Sequence, residues 1–137
     1  SHLAGIAISQ KGNDAIHGLS TAVESMVDCT HGESLSALMP HILRFNHEAA
    51  APRYAQIARL MGRDVAGRTV MQAAAVGIEA MIELRDAAGT WRALREIGVK
   101  PEMAERLTEL AAKGRSTLIN CRKPDREEIA ALYQAAI

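Results

Sequence analysis

NDAIHGLSTAVESMVDCTHGESLSALMPHILRFN, Asn13 to Asn46, is the stretch that decides the fold. Asn13 or Asp14 can cap a helix. Behind them Ile16, Leu19, Val23 and Met26 fall at helical spacing. Asp28-Cys29-Thr30 breaks the period and reads as a turn. From Gly32 to Asn46 the spacing resumes with Leu35, Leu38, Met39, Ile42 and Phe45. Two helices joined by a turn of about four residues are neighbours that run back on one another. Pro40 lies inside the second and predicts a kink or a restart, because proline has no N–H to donate.

The same reading extends outward in both directions. His2–Ser9 is a short apolar segment stopped near Gly12. Glu48–Met61 reads as a helix, with Pro52 tolerated in its first turn and Gly62 as its stop. Thr69–Ala88 is the longest periodic run, with Val70, Ala73, Ala74, Gly77, Ile78, Met81, Ile82 and Leu84 at core spacing. Its small residues suit close helix contact, either within the chain or with a second copy in a homo-oligomer. Thr90 is expected to cap a helix over Trp91–Ile97, ended by Gly98. Pro101 opens another over Glu102–Lys113, ended by Gly114. After a loop through Asn120–Lys123, the last helix, Asp125–Ala136, turns Ile129, Leu132 and Tyr133 inward, and Asp125 and Glu128 are spaced as a capping box. No segment alternates as a strand would. The expectation is an all-α helical bundle forming one domain over residues 1–137.

Composition agrees with helix. Alanine occurs 25 times in 137 residues, while aromatics are 3%, the reverse of what β-rich chains favour. With 16 basic and 16 acidic residues the chain has no net field to gather a polyanion, so nucleic acid is not expected as a partner. No apolar run approaches a membrane span of about 18 residues, and the start SHLAGIAISQ lacks the basic and long apolar regions of a signal peptide. Cys29 and Cys121 are too few for a disulfide scaffold and read as small buried hydrophobes. A reducing, cytoplasmic location is the expectation. GxGxxG and GxxxxGK[ST] loops are absent, so the chain itself carries no motif for a nucleotide.

Chemistry then rests on the histidines His2, His17, His31, His41 and His47. His17 shares its side of the first helix with Ser20, Thr21 and Glu24, at i+3, i+4 and i+7. That polar stripe is either a solvated face or one wall of a cleft. His31 opens the second helix beside Gly32, which removes bulk next to the imidazole. Two imidazoles suit Zn, Fe, Ni or Cu, yet they are half a site, since a catalytic metal takes three protein ligands or more.

Leu3 to Asn46, LAGIAISQKGNDAIHGLSTAVESMVDCTHGESLSALMPHILRFN, resembles the iron-containing (group III) alcohol dehydrogenase family. That family's motifs run LAGxAF, then HAxAHPLG, then PHGxxNAxLLPxVxxFN. Trp91–Val99 resembles its late LxxLGV helix, and Asn120–Ile137 its closing NPRxxTxxDIxxLYxxAL. The resemblance covers nearly the whole chain but only the last third or so of a family enzyme. It implies a dehydroquinate synthase-like C-terminal α domain, incomplete without an N-terminal α/β domain that binds NAD(P) through a GGGS-type loop. His17 falls on the first histidine of HAxAHPLG and His31 on that of PHG, 14 residues apart, and both are implied metal ligands. The metal would be Fe(II), Zn(II) or another divalent ion, completed by an upstream Asp and His four residues apart. Neutral imidazoles are needed to ligate, so binding is expected to weaken on acidification. His41 falls on a variable position and inherits no role.

The departures lie around these ligands. Thr21 replaces the second histidine of HAxAHPLG, which lies near substrate, and is followed by Ala22-Val23-Glu24. Thr30 replaces the proline of PHG's flank, and Leu35 the following asparagine. Thr21 is carried as a candidate substrate-binding residue, and no catalytic or nucleotide-binding residue is assigned within the chain. The implied activity is hydride transfer between a small alcohol or aldehyde and NAD(P), with this chain alone expected to be inactive. The alternative, motivated by the three departures, is a non-catalytic interaction or dimerisation module that kept the fold and lost the chemistry.

Overall fold

A computed structural model describes residues 2–137, and every regular element among them is helical. α1 spans His2–Lys11, α2 Ala15–Glu24 and α3 His31–Phe45. α4 spans Ala51–Leu60, α5 Val70–Ala87, α6 Ala104–Ala112, α7 Arg115–Leu118 and α8 Arg126–Ala136. The all-α expectation holds.

Two apolar cores organise these helices. The larger joins α2, α3, α6 and α8 around Leu19, Val23, Leu38, Leu107, Ile129 and Tyr133. Leu19, Leu38 and Leu107 are fully buried, each worth about 1.5–3 kcal/mol of removal from water. The smaller core packs α4 on α5 through Tyr54, Ala74 and Ile78. There Gly77 is required by contact, because a Cβ on it would sit 2.1 Å from the Tyr54 carbonyl oxygen. The small residues of α5 thus face α4 within the chain, while Val70 and Leu84, expected inward, are exposed.

Polar ties lock the larger core in register. The Tyr133 hydroxyl donates to the Leu19 carbonyl at 2.9 Å and joins α8 to α2. Asn46 and Asn120 exchange amide bonds at 3.2 and 2.7 Å, 74 residues apart in sequence. Asn120 also accepts from Ala15 N at 3.4 Å, at the start of α2.

Pro40 neither ends α3 nor restarts it. The helix continues from His31 to Phe45, because the carbonyl that proline leaves without a donor is served from elsewhere. Residue 40 would ordinarily donate to Ser36 O. Arg85 Nη1 of α5 donates to that oxygen at 3.0 Å instead. The Arg85 side chain is 7% exposed, and its charge is met by Asp86 at 2.6 Å.

Four boundaries differ from expectation. Helix α4 begins at Ala51 rather than Glu48, since residues 46–50 form hydrogen-bonded turns, with Ala50 N on Asn46 O at 2.9 Å. Only Leu94–Ile97 of the Trp91–Ile97 segment is helical, as a 3₁₀ turn. Thr90 does not cap it; its hydroxyl donates back to Arg85 O at 3.1 Å. Glu102–Lys113 opens as a 3₁₀ turn over Pro101–Met103 before α6. The four-residue α7 lies where a loop was expected to begin. Both cysteines are free, Cys29 half-buried and Cys121 exposed, so Cys121 is not a core residue.

Candidate metal centre

The site starts with the turn between α2 and α3. Thr30 caps α3: Glu33 N donates to its hydroxyl at 3.4 Å, while Thr30 N donates to Glu33 Oε2 at 2.9 Å. This reciprocal box places His31 at the first helical position. Val23, Leu38 and Ala37 pull the two helices into one core. The first turn of α3 then lies against the middle of α2, with Ser34 Oγ 2.8 Å from Ser20 Oγ.

His17 and His31 meet there. Their ring centroids are 5.2 Å apart with planes inclined by 36°, and His31 Nε2 lies 3.2 Å from His17 Nδ1. Metal–imidazole bonds are about 2.0–2.1 Å, so both nitrogens can reach one ion. Both are borderline donors suited to Fe(II), Zn(II) or Ni(II). The residues present fit a divalent metal, as half of a ligand set. Among the described residues no group of three or more His, Cys, Asp or Glu is placed to hold an ion.

The other face of the His31 ring edge is occupied by a carboxylate. His31 Nδ1 is 2.7 Å from Glu24 Oε1. Ser34 Oγ donates to the same oxygen at 2.7 Å, and Ser20 Oγ is bonded to it as well. Burial works to raise the Glu24 pKa, but hydrogen bonds from Ser20, His31 and Ser34 outweigh it and hold the carboxyl below its usual range. An ionised carboxylate only accepts, so the His31 proton belongs on Nδ1. Nε2 then keeps its lone pair and faces His17. Glu24 also lies beside the N-terminus of α3, where negative charge is favoured.

His17 opens onto a cavity of about 560 Å³ lined by Ile16, Leu35, Met39, Met81 and Leu84. Gly32, Ser36 and Arg85 also line it. Of the polar stripe on α2, only His17 lines this cavity, while Ser20 and Glu24 turn toward Ser34 and His31 in the first turn of α3. Thr21 is not in that wall. Its hydroxyl donates to the His17 carbonyl at 2.8 Å, and it lines a separate recess with Gly18, Leu110 and Gly114. Gly18 is small by necessity, because an added Cβ would meet Thr117 N at 2.7 Å. Among the other histidines, His47 Nε2 is 2.9 Å from Met71 O. His41 lies against Arg44 and Arg85, away from the pair, and burial followed by those two cations pushes its pKa down. Spacing placed Ser20 and Glu24 beside His17, but nothing in it pointed to Ser34 or to a carboxylate on His31.

The matched family model is "Fe-containing alcohol dehydrogenase family, C-terminal", over residues 1–137. The chain is 32% identical over 136 residues to a 1,3-propanediol dehydrogenase of Klebsiella pneumoniae, covering 99% of this chain and 35% of that protein. It is 30% identical to a lactaldehyde reductase of Escherichia coli (strain K12), covering 98% and 35%. The structure of an alcohol dehydrogenase from Oenococcus oeni superposes with a TM-score of 0.91 at 30% identity, over 98% of this chain and 35% of that one. The chain thus spans about a third of the length of the relatives it matches.

Proposed function

The chain belongs to the iron-containing alcohol dehydrogenase family, as its C-terminal helical part, and from that premise we propose that it supplies His17 and His31 as metal ligands in an NAD(P)-dependent alcohol dehydrogenase. The observation that carries this reading is the pair of imidazole nitrogens 3.2 Å apart at the edge of an apolar cavity. Bound there with donors from outside residues 2–137, a divalent metal supplies Lewis acidity toward the oxygen of an alcohol or aldehyde. Hydride exchange belongs to the nicotinamide, held by an N-terminal α/β domain.

The chain's own part is positioning. His31 donates its Nδ1–H to Glu24 in a hydrogen bond and keeps the Nε2 lone pair. His17 stands across from it on α2. Ile16, Leu35, Met39 and Leu84 give an apolar wall beside His17 that suits the carbon chain of a small alcohol. Thr21 lines the separate recess beside Gly18 and donates its hydroxyl to His17 O, so it is assigned no contact with substrate.

Calorimetric titration of Zn(II) into the protein, His17→Ala and His31→Ala tests the reading. One ion per chain should bind the parent, and each substitution should weaken binding by at least about tenfold. Equal binding by all three removes both histidines from the ligand set.

A further inference from the structure

We propose that Glu24, braced by Ser20 and Ser34, is a positioning residue that sets the tautomer and orientation of His31. The inference rests on His31 being a ligand and goes beyond it by assigning the groups that prepare the ligand. The competing account is an exposed His–Glu contact, worth little in solvent. Two observations favour a built network.

First, His31 Nδ1, Ser34 Oγ and Ser20 Oγ all converge on one carboxylate oxygen, Oε1. A random surface pair has no reason to recruit two hydroxyls to the same atom. Second, both serines are fully buried, and a hydroxyl placed in a core without a partner costs about 1–3 kcal/mol. Each hydroxyl has a single proton to donate, and this carboxylate is the acceptor that both reach.

Geometry then states what the network does. Glu24 and His17 lie on opposite nitrogens of the His31 ring, so Glu24 is not itself a donor to an ion between the histidines. With its proton held on Nδ1, His31 presents an unprotonated Nε2 toward His17. A carboxylate in this place restricts ring rotation and makes the ligating nitrogen more basic. Such outer partners change metal affinity by about 10–100-fold.

The test uses two readouts on the parent, Glu24→Ala, Glu24→Gln, Ser34→Ala and His31→Ala. Side-chain ¹⁵N spectra of ¹⁵N-histidine protein, in mildly alkaline buffer without metal, report which nitrogen carries the proton. Zn(II) titration reports affinity. The parent should show His31 protonated on Nδ1. Glu24→Ala should shift it toward Nε2 and weaken Zn(II) binding about 10–100-fold. Glu24→Gln, whose amide oxygen still accepts, should keep the tautomer and restore part of the affinity, and Ser34→Ala should lose a few-fold. Circular dichroism checks folding, and if Glu24→Ala unfolds, Glu24→Gln and Ser34→Ala decide the question. An unchanged tautomer together with unchanged affinity in the Glu24 variants overturns the proposal. Loss of binding in His31→Ala but none in Glu24→Ala overturns the positioning role while leaving the ligand reading intact. Equal Zn(II) binding by His31→Ala and the parent defeats the ligand reading instead, and the proposal with it.

Discussion

Pro40 and Arg85 form a coupled pair that a double-mutant cycle exposes. Proline at 40 leaves the Ser36 carbonyl without its helical donor, and Arg85 Nη1 fills the vacancy at 3.0 Å. Ser36 is buried. Arg85→Met keeps most of the side-chain volume and removes the donor. Leaving a buried carbonyl unpaired costs about 1–3 kcal/mol. Asp86 is half-exposed, so losing its charge partner adds at most about 1 kcal/mol. The expected cost of Arg85→Met is therefore about 2–3 kcal/mol. Pro40→Ala restores an N–H that can serve Ser36 O from within α3. In that background Arg85→Met should cost about 1 kcal/mol, a coupling of about 1–2 kcal/mol. Urea unfolding of the four proteins, followed by far-UV circular dichroism, measures the cycle. Whatever Pro40→Ala does to the helix by itself cancels in the difference. Additive effects within about 0.5 kcal/mol would show that Arg85 does not replace the missing donor, and the account of why α3 runs through Pro40 would fail.

Two further outcomes follow from the same coordinates. Gly77→Ala drives a methyl to 2.1 Å from Tyr54 O, a backbone atom that moves only with its helix; overpacking of about 3 kcal/mol, offset by about 1 kcal/mol of helix propensity, should destabilise by about 2 kcal/mol. Gly32→Ala, where the methyl meets nothing within 4 Å, should be neutral or stabilising by up to about 1 kcal/mol, and equal urea midpoints for the two variants would refute the close-contact argument. Acidification should also destabilise: Thr30's backbone N–H holds the Glu33 carboxyl below its ordinary 4.5, and Arg106 does the same for Glu109. Groups lowered in the folded state contribute stability that is present above 4.5 and lost as pH falls through their folded values, so the urea midpoint should drop below that point, and less steeply in Glu33→Gln.

Much of the fold is local chemistry and was legible in the chain. Asp125 with Glu128 caps α8, and Gly62 stops the turn after α4 at φ 73°, because caps and left-handed stops depend on residues three or four apart. The errors fall where that locality ends. Trp91–Ile97 has helical spacing, but Thr90 spends its hydroxyl on Arg85 O, and only Leu94–Ile97 turns. Val70 and Leu84 match the period of α5 yet face outward, since the face a helix buries is chosen by its neighbours.

The sequence by itself determined the helices, the turn at residues 28–30 and the two histidines 14 residues apart. Only the tertiary structure decided that those rings approach to 3.2 Å and that Glu24, Ser20 and Ser34 close around His31. It also decided that Thr21 gives its hydroxyl to α2 instead of the His17 cavity, and that Arg85 answers for Pro40 from 45 positions along the chain. Spacing along one helix reports which side chains share a face. Hydrogen bonds between helices depend on how their axes cross and slide, and that is set by the packed cores around Leu19 and Gly77, not by any residue's neighbours in sequence.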